Sequence, residues 1–351
     1  MAPDPEFVHD WPASRVVFGT GSIGLVAQET ARLGHRPLLI NDPAAESYAD
    51  TIAAQYKDGI AARIGEVVMH VPTPAARAAA ERARQADADV VVCVGGGSAT
   101  GLAKGVAKFT GLPILAVPTT YAGSEMTSIW GLTDDGRKVT GRDDIVRPRT
   151  VIYDPALTLS LPVPISVTSA MNAIAHSVEA LYSPMASPIA LLAAEEGIRA
   201  LAGALPLLAR QPDSITARSA ALRGAWLCGW ALNVSTMGLH HKLCHVLGGL
   251  FDLPHAPLHA ALLPYVTEFN ADWARPAIDR LTAALGATTL WDLNTSLGTA
   301  TALRDIGLPE ASIDIAVTAT LAQAPLTNPR PVDEPALSRL LRDAWHGQRP
   351  R

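Results

Sequence analysis

Over the first 155 positions, apolar residues come in short dense blocks separated by polar, proline- or glycine-containing breaks. Blocks at 15–18, 37–40, 66–70, 89–94 and 113–117 read as strands. The fourth (Asp-Val-Val-Val-Cys-Val) is nearly continuous and β-branched, the pattern of a strand covered on both faces. Helical segments lie between them: one to about residue 33, an alanine-rich stretch, 74–86, and a segment opening at Gly95 and running through Ala107. Strands alternating with helices imply a parallel sheet with right-handed crossovers. Past Tyr153-Asp154-Pro155 the spacing changes. From Ser166 onward, Ala- and Leu-rich segments repeat at helical period, interrupted by Pro and Gly. The pattern predicts an α/β nucleotide-binding domain over residues 1–156 and an all-α catalytic domain over 157–351.

A chain of 351 residues exceeds what one core usually holds, which agrees with two domains. Hydrophobic residues at 48% and charged residues at 17% are those of a globular protein. A formal charge of −5 offers no basic field for a phosphate backbone, so no nucleic-acid partner is expected. Three cysteines, Cys93, Cys228 and Cys244, are too few and too scattered for a disulfide framework and suit a reducing compartment. Cys244 lies among histidines, but a lone helical cysteine is more often core than ligand. The start, Met-Ala-Pro-Asp-Pro-Glu, lacks the basic and apolar regions of a secretory signal. No stretch approaches the roughly 18 apolar residues of a membrane span. A cytoplasmic protein without a membrane partner is expected.

Gly95-Gly96-Gly97-Ser98 follows a buried strand and opens a helix, where outward N–H groups and the helix dipole favour an anion. Glycine lets a diphosphate approach the backbone, although tight turns use glycine too. Asp42 ends the second strand and reads either as an acceptor for an adenosine ribose or as a turn residue. A charge there would repel a 2′-phosphate and favour NADH, with nearby Arg36 compensating in part. Thr119, Thr120, Tyr121 and Ser124 follow another strand on the same expected sheet edge and are candidate cofactor contacts.

Histidine is the sharper signal. Asn172 and His176 are four apart on one helical face, as are His241 and His245. His240, His241, His245, His255 and His259 fall within twenty positions, of ten histidines in the chain. A single histidine on an apolar helix is usually a satisfied core or surface residue. A cluster of this density points to an acid–base or metal site.

Together, Gly95–Ser98, Pro118-Thr119-Thr120, the Asn172/His176 helix and the pair His241/His255 resemble the iron-containing (group III) alcohol dehydrogenase superfamily. Longer stretches, 118–125, 136–140, 172–176, 240–249 and 251–256, resemble its maleylacetate reductase branch, and the resemblance spans nearly the whole chain. It implies a dehydroquinate synthase-like fold, an α/β nucleotide domain followed by a helical one, and a homodimer. It also implies NAD(H), with NADP(H) as the alternative, and reduction of the C=C bond of maleylacetate or a related unsaturated oxo acid to a 3-oxoadipate-type product. By position, Asp42, Gly96, Gly97, Ser98, Thr119, Thr120, Tyr121 and Ser124 would contact cofactor. His176, His241, His245, His255 and Asn172 would be catalytic, and His240, Lys242 and His259 would bind substrate.

Metal-dependent members hold their ion with a carboxylate and three histidines. His176, His241 and His255 match the histidines, but Asn172 stands where the carboxylate would be. A neutral amide leaves a divalent charge uncompensated, so no metal is expected. Conjugate hydride addition builds charge on an enolate, which histidine donors can stabilise without a Lewis acid. The chain departs from the branch at Pro257-Leu258, Tyr265 and Leu326-Thr327, positions expected near the site and therefore bearing on the substrate. The competing readings are a biosynthetic relative with another substrate, a dehydroquinate synthase-like lyase or cyclase, and a binding protein that has kept only the nucleotide fold.

Overall fold

A computed structural model describes residues 14–68, 71–134, 137–184 and 186–350. Eight strands lie among them: β1 (Arg15–Phe18), β2 (Pro37–Asn41), β3 (Ala62–Ile64), β4 (Val90–Gly95), β5 (Ile114–Pro118), β6 (Ile129–Asp134), β7 (Arg137–Arg142) and β8 (Thr150–Tyr153). Six form one sheet in the order β1-β8-β5-β4-β2-β3, and every pairing in it is parallel. β2, β4, β5 and β8 are buried along their whole length. That explains their unbroken apolar runs, since a parallel sheet is covered on both faces. The expected parallel sheet is present.

Two features differ from the sequence pattern. The third strand falls at Ala62–Ile64, paired with Leu38–Ile40, rather than at 66–70. Val68 is 54% exposed and Glu66 to Val68 form no strand, while Met69 and His70 lie outside the described residues. A short apolar run carries no periodicity that would separate it from loop. Arg63 holds the true strand in place, donating to Asn41 at 2.9 Å and Asp50 at 2.6 Å. The other difference is the antiparallel hairpin β6–β7, which the helix–strand alternation did not anticipate.

Four helices accompany the sheet: α1 (Val26–Thr30), α2 (Glu46–Ala53), α3 (Thr73–Gln85) and α4 (Gly97–Thr110). Among the described residues, nine more follow β8: α5 (Val163–Leu181), α6 (Pro188–Arg210), α7 (Ile215–Asn233), α8 (Leu239–Phe251), α9 (His255–Asn270), α10 (Arg275–Leu285), α11 (Leu290–Ser296), α12 (Ile313–Leu321) and α13 (Glu334–His346). The chain divides into two compact units. One runs to Leu161 and takes in Asp213–Leu222; the other comprises Pro162–Pro212 and the chain from Arg223 onward. The short returning segment joins the sheet unit through Arg218. Its fully buried guanidinium donates to the Tyr121 hydroxyl at 3.3 Å and the Leu161 carbonyl at 3.0 Å.

Within the helical unit, α5 is buried along most of its length. Leu243, Leu247, Leu258, Leu262 and Val266 from α8 and α9 meet Leu337 and Leu341 of α13 in one apolar cluster. Tyr265 belongs to this cluster, its hydroxyl donating to the Thr301 carbonyl at 3.0 Å, and Leu326 packs against it. These two departures from the branch pattern are therefore core substitutions. Pro257 sits in the first turn of α9, where a missing N–H costs nothing.

Candidate active site

Parallel register brings the carboxyl ends of three strands side by side. Asn41 pairs with Val94, and Gly95 with Pro118. Asp42, Gly95–Gly96 and Thr119–Thr120 thus follow adjacent strands at one sheet edge, where open α/β sheets bind ligands. One oxygen of Asp42 accepts the Gly96 N–H at 2.5 Å, so the carboxylate braces the glycine turn from β2. Burial pushes this carboxyl above its usual range, and the Gly96 bond pulls the other way. Gly95 has φ +148° and a Cβ there would meet Asp42 and Ala99, so the turn itself demands that glycine. At Gly97 a Cβ would find only Ala122, 3.9 Å away. The first turn of α4 has no side-chain cap, which leaves its N–H groups to an anion. These residues fit a dinucleotide diphosphate.

The loop after β5 divides in two. Thr119 and Thr120 are half-buried, and the Thr119 N–H donates to the Gly95 carbonyl at 2.9 Å. Tyr121, a candidate cofactor contact by position, is instead fully buried, with its hydroxyl donating to Thr158 at 3.1 Å. The Ser124 carbonyl accepts from the Lys104 ammonium at 2.7 Å, which also reaches Thr127 at 2.9 Å and the Ile129 carbonyl at 2.7 Å. Burial pushes this lysine down to about 7, against the opposing pull of Glu125. Buried Glu125 in turn accepts from the Tyr153 hydroxyl at 2.8 Å. Neither Lys104 nor Glu125 stood out in the sequence, because a lysine inside an Ala/Gly helix looks like a solvated one.

The helical unit gathers the histidines. α5 presents Asn172, His176 and Glu179 at positions i, i+4 and i+7, one face of a helix. His176 stacks on His241 of α8 with ring centroids 5.1 Å apart. His241 lies 5.0 Å from His259 of α9 and 6.4 Å from His245, and His259 lies 4.4 Å from His255. His240 meets His259 through an Nε2–Nδ1 hydrogen bond of 2.9 Å. All six histidines singled out from the sequence therefore meet in one cluster. The Lys242 side chain is half-buried and enters no hydrogen bond or ion pair among the described residues. His240 and His259 are fully buried. Burial, reinforced by neighbouring imidazoles, pushes both well below the usual histidine range.

Glu179 organises this cluster, and sequence reasoning missed it. Its carboxylate is fully buried and accepts the Gly238 N–H at 2.8 Å and the His240 N–H at 2.7 Å, capping the start of α8. The same carboxylate meets His241 Nδ1 at 2.6 Å. That contact fixes the ring and leaves Nε2, which is buried without a hydrogen-bond partner among the described residues, as is Oδ1 of Asn172. Gly238 permits the approach, since a Cβ there would lie 2.9 Å from Glu179. The spacing from Asn172 and His176 was the available signal.

Among the described residues, one group of His, Cys, Asp or Glu brings a ligand atom from each member within 4.8 Å of the others: His240, Cys244 and His259. At the position of His176, His241 and His255, Asn172 adds an amide.

Against known families, residues 13–155 match the iron-containing alcohol dehydrogenase model and residues 166–345 match the C-terminal model of the Fe-containing alcohol dehydrogenase family. The chain belongs to the iron-containing alcohol dehydrogenase family. Membership makes it an NAD(P)H-dependent oxidoreductase. It is 46% identical to a maleylacetate reductase of Sphingobium indicum over 98% of this chain and 99% of that one. The solved maleylacetate reductases of Agrobacterium tumefaciens and a Rhizobium species superpose with TM-scores of 0.93 and 0.92, at 42% and 43% identity. Each covers 100% of both chains.

Proposed function

We propose that this family member reduces the carbon–carbon double bond of maleylacetate, or a closely related unsaturated oxo acid, with NADH as its preferred cofactor. The observation that carries the reading is the buried Glu179–His241 pair beside an amide, Asn172, where metal-dependent relatives use a carboxylate. The full-length identity to maleylacetate reductases supports it. The cofactor, when bound, supplies a hydride, and Gly97, Ser98, Asp42, Thr119 and Thr120 would hold it.

The other half of the reaction falls to the chain's own side chains. Hydride addition to an enoate conjugated with a ketone moves an electron pair onto oxygen. A donor fixed beside that oxygen stabilises the developing charge. Glu179 accepts from His241 Nδ1–H, which leaves Nε2 bare on the neutral ring; the doubly protonated ring, whose charge Glu179 offsets, would donate from Nε2 at the reacting end. Asn172, His176 and His255 line the same cluster, and Lys242 and His245 at its margin would meet carboxylates. His176, His241 and His255 with Asn172 do not fit a divalent cation, because three imidazoles and an amide carry no charge to offset the ion. No step is routed through a metal. The protein is proposed to be a cytoplasmic homodimer.

The test is loss of NADH absorbance on mixing with maleylacetate, with stoichiometric formation of the saturated oxo acid. No turnover with maleylacetate, but turnover of a simple alcohol with added iron, would overturn the reading.

A further inference from the structure

The family's metal position has lost its carboxylate, yet one turn away the same helices assemble a different donor set. His240 and Cys244 lie four apart on α8, one above the other on a single face, and His259 faces them from α9. The separations are 2.9 Å for His240 Nε2 to His259 Nδ1 and 3.7 Å for His240 Nε2 to Cys244 Sγ. Sγ and both nitrogens lie within 4.8 Å of one another. On a tetrahedral zinc, with nitrogen at about 2.0–2.1 Å and sulfur at about 2.3 Å, such atoms stand roughly 3.3–3.6 Å apart. The two His240 separations thus lie within about half an ångström of those values, and the third, no more than 4.8 Å, would close onto them around an ion.

Both rings are fully buried, and neither His240 Nδ1 nor His259 Nε2 has a hydrogen-bond partner among the described residues. Their chemistry also differs from that of the family position. Two imidazoles with a thiolate form a borderline-soft set, and the thiolate supplies the negative charge that Asn172 no longer does.

We propose that His240, Cys244 and His259 form a buried binding site for one zinc(II) ion, separate from the Asn172–His176–His241–His255 position. Binding releases the Cys244 thiol proton to solvent. The ring protons then sit on His240 Nδ1 and His259 Nε2, which leaves Nε2 and Nδ1 as ligands. The site ties α8 to α9 from within, one residue from His241. It does not depend on which substrate the enzyme reduces.

The test uses the full-length protein, freed of metal and then loaded with zinc(II) or cobalt(II) and gel-filtered. One ion per chain is expected to remain, and the cobalt form is expected to show a thiolate-to-cobalt charge-transfer band. Cys244→Ala should remove the band and weaken retention by more than the roughly 10–100-fold typical of losing an outer partner. His255→Ala should retain the ion. An unmodified protein that holds no ion, or holds cobalt without the thiolate band, overturns the proposal whatever the variants do. So does an ion kept by Cys244→Ala and lost by His255→Ala, which would place it at the family position.

Discussion

At Glu179 one buried carboxylate serves two backbone donors of α8 and one ring nitrogen of His241. Replacing it with glutamine turns one acceptor into a donor facing donors. Glu179→Gln is expected to lower kcat by about 10–100-fold, the usual effect of disturbing a residue that orients a reacting group. The KM for NADH should stay within about twofold, and an equal loss in both would mark a merely structural role. Removing the ring itself, His241→Asn, should lower kcat by about 10²–10⁴. Steady-state kinetics check both. The glycines of the turn separate in the same manner. Gly97→Val has room for its Cβ beside Ala122 but obstructs a diphosphate. It should raise the NADH dissociation constant at least about tenfold, or ~1.4 kcal/mol, with an unchanged unfolding midpoint. Unaltered NADH binding by fluorescence titration would remove the diphosphate from this turn.

Elements set the next level. α4 begins at the anion-ready turn, and Lys104 on it is spent inside the fold, donating to Ser124, Thr127 and Ile129. With the folded amine at about 7 and the ordinary value 10.5, the unfolded chain holds a proton between these limits that the folded chain lacks. Stability from this group therefore rises with pH across that window and lies at its minimum below it. Urea denaturation at several pH values should show the native protein gaining on Lys104→Met between pH 7 and 10. Parallel curves would show that the amine stays charged in the fold. β2 decides the cofactor question in a similar way. Arg36 precedes the strand and Asp42 follows it, about 20 Å apart over six extended residue steps. Arg36 is occupied with the Ala86 and Asp87 carbonyls, so it is not the compensating charge that sequence proximity suggested. Asp42→Ser should improve NADPH relative to NADH in kcat/KM. It should also weaken both cofactors, because the Gly96 brace is lost.

For the molecule as a whole, the reading as a maleylacetate reductase-like enzyme rests on a nucleotide-binding sheet edge in one unit and a histidine cluster on α5, α8 and α9 in the other. Of the residues that depart from the branch, Pro257, Leu258, Tyr265 and Leu326 bear on it less than their sequence context suggested, while Thr327 lines a pocket with Glu179 and Gly238. Tyr265 and Leu326 fill the α8–α9–α13 core, and Pro257 occupies a first helical turn. Asn328 is also structural, exchanging amide hydrogen bonds with Asn270 at 3.0 and 2.7 Å. Maleylacetate should therefore remain a competent substrate. A kcat/KM below that for every other enoate tested would point to a different acid.

The parallel sheet, the helical second half, the glycine turn and the histidine cluster were legible in the sequence, because each rests on local spacing. Buried β-branched runs mark covered strands, and i, i+4 pairs mark a helix face. Asn172, a single residue type at one position, carried the argument about charge. What spacing could not supply was direction and partnership. Tyr121 follows the right strand but turns inward, because Thr158 and Arg218 satisfy its hydroxyl there. The strand near residue 66 moved to Ala62–Ile64, because pairing with β2 outweighed a weak apolar run. Asp213–Leu222 joined the sheet unit through one buried guanidinium, which no composition shift announces. Glu179 reads as an ordinary helical glutamate until α8 begins at its carboxylate, and Cys244 reads as core until His259 arrives from the next helix. Both depend on contacts between residues far apart in the chain, whose strength comes from burial that only the packed helices create.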